Sequence, residues 1–220
     1  MYSVNFLYLL QENNKIQIRS GGNKNDTGRT LAQIKPLDKN AMDVAAKRWD
    51  SIAKPLHSLG KMEKLVIQIA GITGNPDMKI QKRALVPMCA DNGVVEEGVT
   101  QTGQEVTAIV AENFLSGDTS ACVMSRQCGT KVIPVDIGMA VDTKVSKELK
   151  VAYGTANMTK GPAMTRAQAV QALEAGIEMV RRLKEEGYGL LATGEMGIGN
   201  TTTSSAVASV LLDRSVEEMT

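Results

Sequence analysis

The 220-residue sequence predicts an α/β protein with a doubly wound, mainly parallel sheet and a small helical subregion at its amino-terminal end. Short apolar runs typical of buried strands alternate with longer segments in which apolar residues recur at helical spacing. Aromatic residues make up only 3% of the chain and glycine is frequent, which favours helices packed closely on a sheet over a β-sandwich. This alternation is typical of βαβ units in Rossmann-like folds.

The predicted helices and strands follow one another in a regular order. Asp38 is the expected cap of the first helix, which ends where Pro55 pushes the preceding residue out of helical geometry. The longest helix begins with a capping box in which Thr165 pairs with Gln168. We expect helices at about 38–53, 60–70, 104–115, 118–129 (capped by Asp118), 165–186 and 202–212, and strands at 84–90, 131–135 and 188–192.

Two prolines interrupt the predicted strands. Pro87 lies in the first strand and Pro134 in the second. Because proline donates no hydrogen bond to a sheet, its presence favours a strand at a sheet edge or at a bulge.

Three regions differ in composition. Residues 1–30 contain three of the seven aromatic residues, followed by a Gly- and Asn-rich run that is typical of a flexible loop. The first ten residues are apolar, but they lack the basic start and the small-residue cleavage site of a signal peptide. We expect residues 1–30 to be a disordered extension or the result of a mis-assigned start, residues 31–78 a helical subregion, and residues 79–220 an α/β domain.

Charge and cysteine content exclude several classes of function. A formal net charge of +1 gives no electrostatic basis for binding nucleic acid or an anionic membrane, and no apolar run approaches the length of a membrane span. Cys89, Cys122 and Cys128 form no CxxC pair, and His57 is the single histidine, interpreted as a turn or capping residue. We therefore expect no metal site, no disulfide framework and a cytoplasmic location.

Polar turns follow the three predicted strands, where ligands bind in open α/β sheets. The turns at 91–93 and 136–138 have the composition of many α/β turns, which favours the interpretation as ordinary turns over a functional role. The third turn is more informative because Gly194, Gly197 and Gly199 allow the backbone to approach a ligand closely. A helix then begins near Asn200, and its free N–H groups would form an anion site.

The third turn has two interpretations. In the first, the glycines serve tight packing and the Asn-Thr-Thr-Thr run caps a helix. In the second, the turn is a phosphate cradle with Glu195 beside it. A carboxylate repels a phosphate, so its presence favours a role in holding a cationic or N–H-bearing group of the substrate.

Six stretches in chain order form a specific set of motifs. They are Lys-Pro-Leu-His-Ser-Leu-Gly at 54–60, Cys-Ala-Asp-Asn-Gly-Val-Val-Glu-Glu-Gly-Val at 89–99, Gln-Glu-Val-Thr at 104–107, Asn-Met-Thr at 157–159, Gly-Pro-Ala-Met at 161–164 and Gly-Glu-Met-Gly-Ile-Gly-Asn-Thr-Thr at 194–202. Together they resemble the nicotinate-nucleotide–dimethylbenzimidazole phosphoribosyltransferases, which act in cobalamin nucleotide-loop assembly. The similarity covers about residues 31–220, but Leu56-His57 replaces Pro-Gly, and Pro87 replaces an ordinary strand residue.

The resemblance implies a base exchange at the anomeric carbon of ribose. Nicotinate mononucleotide would donate the ribosyl phosphate, and 5,6-dimethylbenzimidazole would accept it, giving alpha-ribazole 5'-phosphate and nicotinate. Nicotinate is already a pyridinium leaving group, whereas the acceptor must lose an N–H proton, so a carboxylate base is the natural device. The resemblance implies no cofactor and, for the full-length protein, a homodimer.

The resemblance also implies roles for particular residues. Glu195 would face the reacting rings as an auxiliary catalytic group, and Thr102 would line the acceptor pocket. The expected substrate-binding residues are Thr102, Gln104, Gly194, Gly197, Gly199, Asn200, Thr201 and Thr202.

The main general base is expected beyond Thr220. The family's catalytic glutamate lies in a Glu-Gly-Ser-Gly segment near its carboxyl terminus, and these 220 residues contain no such segment. We therefore expect residues 79–220 to be an incomplete phosphoribosyltransferase domain, weakly active or inactive alone. The alternatives are a shortened non-catalytic homologue that binds nucleotide or benzimidazole or dimerises, and an unrelated nucleotide-binding enzyme.

Overall fold

The computed structural model describes residues 26–220. The predictions for residues 1–25 lie outside the described residues. The described chain divides into two compact units, one of residues 28–81 and the other of residues 82–220 together with Asp26 and Thr27. Helix α1 (Asp26–Ala32) begins inside the predicted flexible loop, so that prediction is wrong from Asp26 onward. None of the helices between residues 26 and 220 is long and apolar enough to cross a membrane.

The unit of residues 28–81 is helical, as the sequence predicts. It contains α2 (Lys39–Ser51) and α3 (Lys61–Thr73). The side chain of Asp38 caps α2 by accepting a hydrogen bond from Ala41 N at 3.0 Å. The intervening loop is held by a buried ion pair of 2.8 Å between Lys54 and Glu63, and His57 lies in a turn with a φ of 58°.

The second unit alternates strands and helices. The parallel pairing of its strands confirms the predicted α/β class. Its elements are β1 (Arg83–Ala90), a 3-10 turn (Gly93–Glu97), α4 (Glu105–Ser116), α5 (Ser120–Gln127), β2 (Thr130–Val132), β3 (Val135–Gly138), α6 (Arg166–Glu185), β4 (Leu190–Met196), α7 (Asn200–Leu212) and α8 (Val216–Met219).

Strand β1 lies at the centre of the four-stranded sheet. It pairs with β2 and β3 on one side and with β4 on the other. Of the two expectations for Pro87, the edge strand is therefore wrong, whereas a local irregularity is present, because the ladder between β1 and β3 shifts register between Cys89 and Ala90.

Leu85 O accepts a hydrogen bond from Ile133 N at 2.9 Å, so the backbone groups of Leu85 point towards β2. Backbone groups two residues apart in a strand point to the same side. The backbone nitrogen of Pro87 therefore points to the gap at Pro134 between β2 and β3. Pro87 thus lies in the part of β1 where pairing passes from β2 to β3, so its missing N–H costs no ladder hydrogen bond.

Three predicted boundaries differ from the structure. Thr119, rather than Asp118, caps α5, because its hydroxyl accepts from Cys122 N at 3.1 Å. The second predicted strand is split at Pro134. The third predicted strand begins at Leu190 and continues to Met196, so the turn that follows it is shorter than the sequence predicts. The capping box of Thr165 and Gln168 is confirmed.

The apolar core has two clusters, one on each face of the sheet. One cluster joins Ala84, Val86 and Val135 to Leu183 of α6. A second cluster lies towards the carboxyl ends of the strands, where α4 packs on β1, and Met196 and Phe114 pack against its edge. The polar turns follow directly on residues of this second cluster, whose buried members are Cys89, Ala111, Met139 and Val145.

Candidate active site

The three polar turns predicted from the sequence lie at one edge of the sheet, which we call the crest. It consists of the carboxyl ends of β1, β3 and β4, which meet because the strands are parallel. Pairing of Cys89 with both Asp136 and Met196 brings the three ends level. This is the position at which open α/β sheets bind ligands.

Asn92 connects the end of β1 to the turn after β4. Its amide nitrogen donates to Ile198 O at 3.1 Å, and its amide oxygen accepts from Thr203 Oγ1 at 3.3 Å. Its backbone oxygen accepts from Gln104 Nε2 at 3.0 Å. Asn92 therefore uses both ends of its amide to fix the turn after β4. The sequence did not distinguish the turn at 91–93, to which Asn92 belongs, from an ordinary turn.

Two glycines make this turn possible. A Cβ on Gly197 would overlap the carbonyl oxygen of Ala90 and approach Asn92 Nδ2 to 2.9 Å. Gly199 has a φ of 84° and is the N-cap of α7. Gly194, in contrast, lies within β4 opposite Pro87, where a Cβ would meet Pro87 Cα at 3.2 Å. Gly197 and Gly199 thus shape the turn, while Gly194 serves close packing of two strands.

Glu195 is the carboxylate nearest to the start of α7 along the chain. It lies on β4, and its Oε2 accepts a hydrogen bond from Asn200 Nδ2. Glu195 is exposed, but neighbouring residues displace part of its surrounding water, which raises the pKa of Glu195 above its ordinary value, and the hydrogen bond from Asn200 partly opposes this. A carboxylate that is oriented by an amide and has a raised pKa accepts a proton more readily than an ordinary glutamate, and it can accept an N–H hydrogen bond.

The raised pKa of Glu195 predicts a pH-dependent cost to stability. A carboxyl group with a higher pKa in the folded than in the unfolded state makes the folded state bind more protons, so stability falls as pH rises through that interval. The stability of the wild type relative to Glu195→Gln should therefore decrease as pH rises above 4.5. Urea unfolding of both proteins from pH 4 to pH 7 measures this difference, and a difference that stays constant or grows with pH would contradict the assignment.

The start of α7 presents backbone donors at the crest. The first N–H groups of a helix have no intrahelical acceptor. Asn200 N donates back to Gly197 O at 3.0 Å, and the helical ladder begins with Thr203 N donating to Gly199 O at 3.3 Å. The N–H groups of Thr201 and Thr202 lie between these two, at the positive end of the helix dipole, where they suit an anion.

Thr102 and Gln104 belong to the loop that precedes α4. Gln104 reaches the crest through its hydrogen bond to Asn92 O, so it shapes the site. Thr102 is exposed, and its backbone oxygen accepts from Thr100 Oγ1 at 2.7 Å. Through Asn92, Gln104 is thus joined to the turn of Gly197, Ile198 and Gly199, which we call the glycine turn. The Thr102 side chain faces solvent.

Thr220, beyond which the sequence predicts the main general base, lies at the end of α8. It is the C-cap of that short helix, and its hydroxyl donates a hydrogen bond to Val216 O at 2.8 Å. Thr220 therefore contacts α8 and is not a group of the crest. The base expected beyond it stays a prediction.

The two buried aspartates of the crest bind backbone groups. Asp136 is fully buried; its Oδ1 accepts from Gly138 N and Met139 N, and its Oδ2 lies 3.0 Å from Lys150 Nζ. Asp91 Oδ2 accepts from Ala140 N at 2.7 Å. These contacts hold the segment after β3 in place, which supports the interpretation of both as turn residues. Among residues 26–220, no group of three or more His, Cys, Asp or Glu side chains could hold a metal ion.

Fold and crest together define an α/β protein with a glycine-rich turn and a helix start at the carboxyl edge of a parallel sheet. A profile of a family described as phosphoribosyltransferase matches residues 34–220. The chain belongs to this phosphoribosyltransferase family, and the resemblance that its motifs indicated is confirmed.

Relatives and solved structures agree with this assignment. Proteins named nicotinate-nucleotide–dimethylbenzimidazole phosphoribosyltransferase from Clostridium tetani and Ruminiclostridium cellulolyticum are 51% identical over 184 residues and 50% identical over 191 residues. These alignments cover 83% and 86% of this chain but 51% and 54% of the relatives. A crystal structure of CobT from Thermus thermophilus is similar with a TM-score of 0.73 and 38% identity, covering 80% of this chain and 54% of that one. The chain therefore spans about half the length of the curated relatives that it matches.

Proposed function

We propose that the chain supplies the nucleotide-binding part of an enzyme that transfers a phosphoribosyl group from nicotinate mononucleotide to 5,6-dimethylbenzimidazole, in cobalamin nucleotide-loop biosynthesis. The products are alpha-ribazole 5'-phosphate and nicotinate. The observation that carries the proposal is the position of Glu195 and Asn200 beside the free N–H groups that open α7. The names of the relatives support the substrates.

The reaction exchanges one bond to the anomeric carbon for another. The bond from that carbon to the pyridinium nitrogen breaks, and nicotinate leaves with the electron pair. A ring nitrogen of dimethylbenzimidazole attacks the same carbon, and the proton on the other ring nitrogen passes to a base. The protein must therefore position two flat rings and a phosphate and accept one proton.

The crest offers a group for most of these tasks. The phosphate would bind at the N–H groups of Thr201 and Thr202, which Gly197 and Gly199 let it approach closely. Glu195 would accept an N–H hydrogen bond from the acceptor ring or assist in removing its proton. Thr102 and Gln104 would border the acceptor. The main base would be the glutamate of the family's Glu-Gly-Ser-Gly segment, which these 220 residues do not contain.

A second candidate function for these 220 residues is to bind nucleotide or benzimidazole, or to dimerise, without catalysing the transfer. Helix α7 favours it, because none of its residues is buried although its carboxyl-terminal half is apolar. The exposed fractions are 58% for Val207, 81% for Val210 and 59% for Leu211. Surface of this kind usually contacts further protein.

For the complete enzyme we propose a homodimer in the cytoplasm, in keeping with three free cysteines.

Binding of nicotinate mononucleotide by the 220-residue chain tests the proposed phosphate site. Calorimetric titration should show that the mononucleotide binds at least about tenfold more tightly than nicotinate riboside, because only the mononucleotide carries the phosphate. Equal affinities for the two compounds would contradict a phosphate site, and no binding of either would contradict the nucleotide assignment.

A further inference from the structure

Thr107 is a buried polar residue in an otherwise apolar row of α4. It is 0% exposed, and it precedes Ala111 and Phe114 at helical spacing in the face that packs on the core. Valine would fill nearly the same volume at this position without the cost of burying a hydroxyl. The hydroxyl has a specific partner, because Thr107 Oγ1 accepts a hydrogen bond from Ile198 N at 3.1 Å.

Ile198 is the middle residue of the glycine turn at the crest. Its N–H is held by Thr107 of α4, and its carbonyl oxygen accepts from Asn92 Nδ2 at the end of β1. Two side chains from different elements therefore fix successive peptide groups of the turn. The next residue, Gly199, is the N-cap of α7, so the position of Ile198 sets the direction of the first N–H groups of that helix.

The first turn of α4 fixes a second part of the crest. Gln104 precedes Thr107 by three residues, which places the two on the same side of the helix. Gln104 Nε2 donates to Asn92 O, while Thr107 accepts from Ile198 N. One helix start thus holds both the end of β1 and the turn after β4.

We propose that Thr107 is a positioning residue, whose hydroxyl holds the Ile198 peptide so that the N–H groups of Thr201 and Thr202 converge on the phosphate. The identity of the ligand rests on the proposed function, whereas the hydrogen bond to Ile198 does not. Without the hydroxyl, Ile198 N loses its acceptor, and the turn can move away from the geometry that binds an anion.

Three variants of the 220-residue chain separate this role from a general loss of stability. Thr107→Val removes the hydroxyl and keeps the volume, and Thr107→Ser keeps the hydroxyl and removes the methyl group. Thr119→Val is the matched control, because it removes a hydroxyl that caps α5. Two measurements are made on each variant: the hydrogen-exchange rate of the Ile198 amide, and the affinity for nicotinate mononucleotide by calorimetry.

We expect Thr107→Val to speed Ile198 exchange and to weaken mononucleotide binding, each by about tenfold. Thr107→Ser should keep both values near those of the wild type. Thr119→Val should lower the melting temperature but change neither the Ile198 exchange rate nor the affinity for the mononucleotide. Unchanged Ile198 exchange in Thr107→Val, or equal losses in the valine and serine variants, would overturn the proposal. If the wild type binds no mononucleotide, the proposed function fails, and the exchange rates alone decide the role of Thr107.

Discussion

Joined to the carboxyl-terminal half of the Clostridium tetani relative, the chain should exchange nicotinate for dimethylbenzimidazole about 10²- to 10⁴-fold faster than it does alone. That range is the usual contribution of a positioned general base, which we expect the added half to supply beyond Thr220. The 220-residue chain offers Glu195 as a carboxylate at the crest, and its hydrogen bond to Asn200 and its raised pKa suit an auxiliary role. Release of nicotinate, followed by chromatography, measures the rate.

The matched control for this experiment is the same joined protein with the glutamate of Glu-Gly-Ser-Gly replaced by glutamine. We expect it to fall back towards the rate of the 220-residue chain. Glu195→Gln in the joined protein should lower turnover by a smaller factor. A 220-residue chain as fast as the joined protein would contradict the assignment of the main base, and an inactive, folded joined protein would contradict the proposed reaction.

Gly197→Ala should destabilise the fold by about 1–3 kcal/mol, the usual range for overpacking. The added Cβ would overlap Ala90 O and lie 2.9 Å from Asn92 Nδ2. The carbonyl belongs to the central strand and cannot move freely, so the turn must shift and carry the start of α7 with it. We expect affinity for nicotinate mononucleotide to fall by at least about tenfold as well.

Gly176→Ala provides the matched control. Gly176 lies within α6, and a Cβ there meets no atom within 4 Å. Alanine is favoured over glycine inside helices by about 0.5–1 kcal/mol, so this variant should be as stable as the wild type or more so. Urea unfolding and calorimetry measure both variants. Wild-type binding by Gly197→Ala would contradict the role of this turn.

Much of the fold could be predicted from local pattern. Helical spacing of apolar residues located α2, α3, α4, α6 and α7 to within about three residues, and the cap at Asp38 followed from residue type. The cap of α5 was wrongly placed because Asp118 and Thr119 are adjacent and both are good capping residues. For Pro87 the sequence left an edge and a bulge as alternatives, because it does not show that the neighbouring ladder passes from β2 to β3 beside this residue.

The crest was only partly predictable. The glycine turn and Asn200 were found because their residue types are unusual together. Gly194 and Gly197 look alike in the sequence, and only pairing with β1 shows that Gly194 is inside a strand. The bridge from Asn92 to Ile198 spans 106 positions, and no local pattern indicates it. Thr107 did leave a signal, a hydroxyl at the apolar spacing of a helix.

A crystal structure of the 220-residue chain with nicotinate mononucleotide shows whether the start of α7 binds the phosphate. We predict that the phosphate oxygens lie within hydrogen-bonding distance, about 2.7–3.2 Å, of the backbone nitrogens of Thr201 and Thr202. The ring should then lie on the side of Glu195. A mononucleotide bound elsewhere, or with its phosphate directed away from the start of α7, would rule out a phosphate site at this helix start.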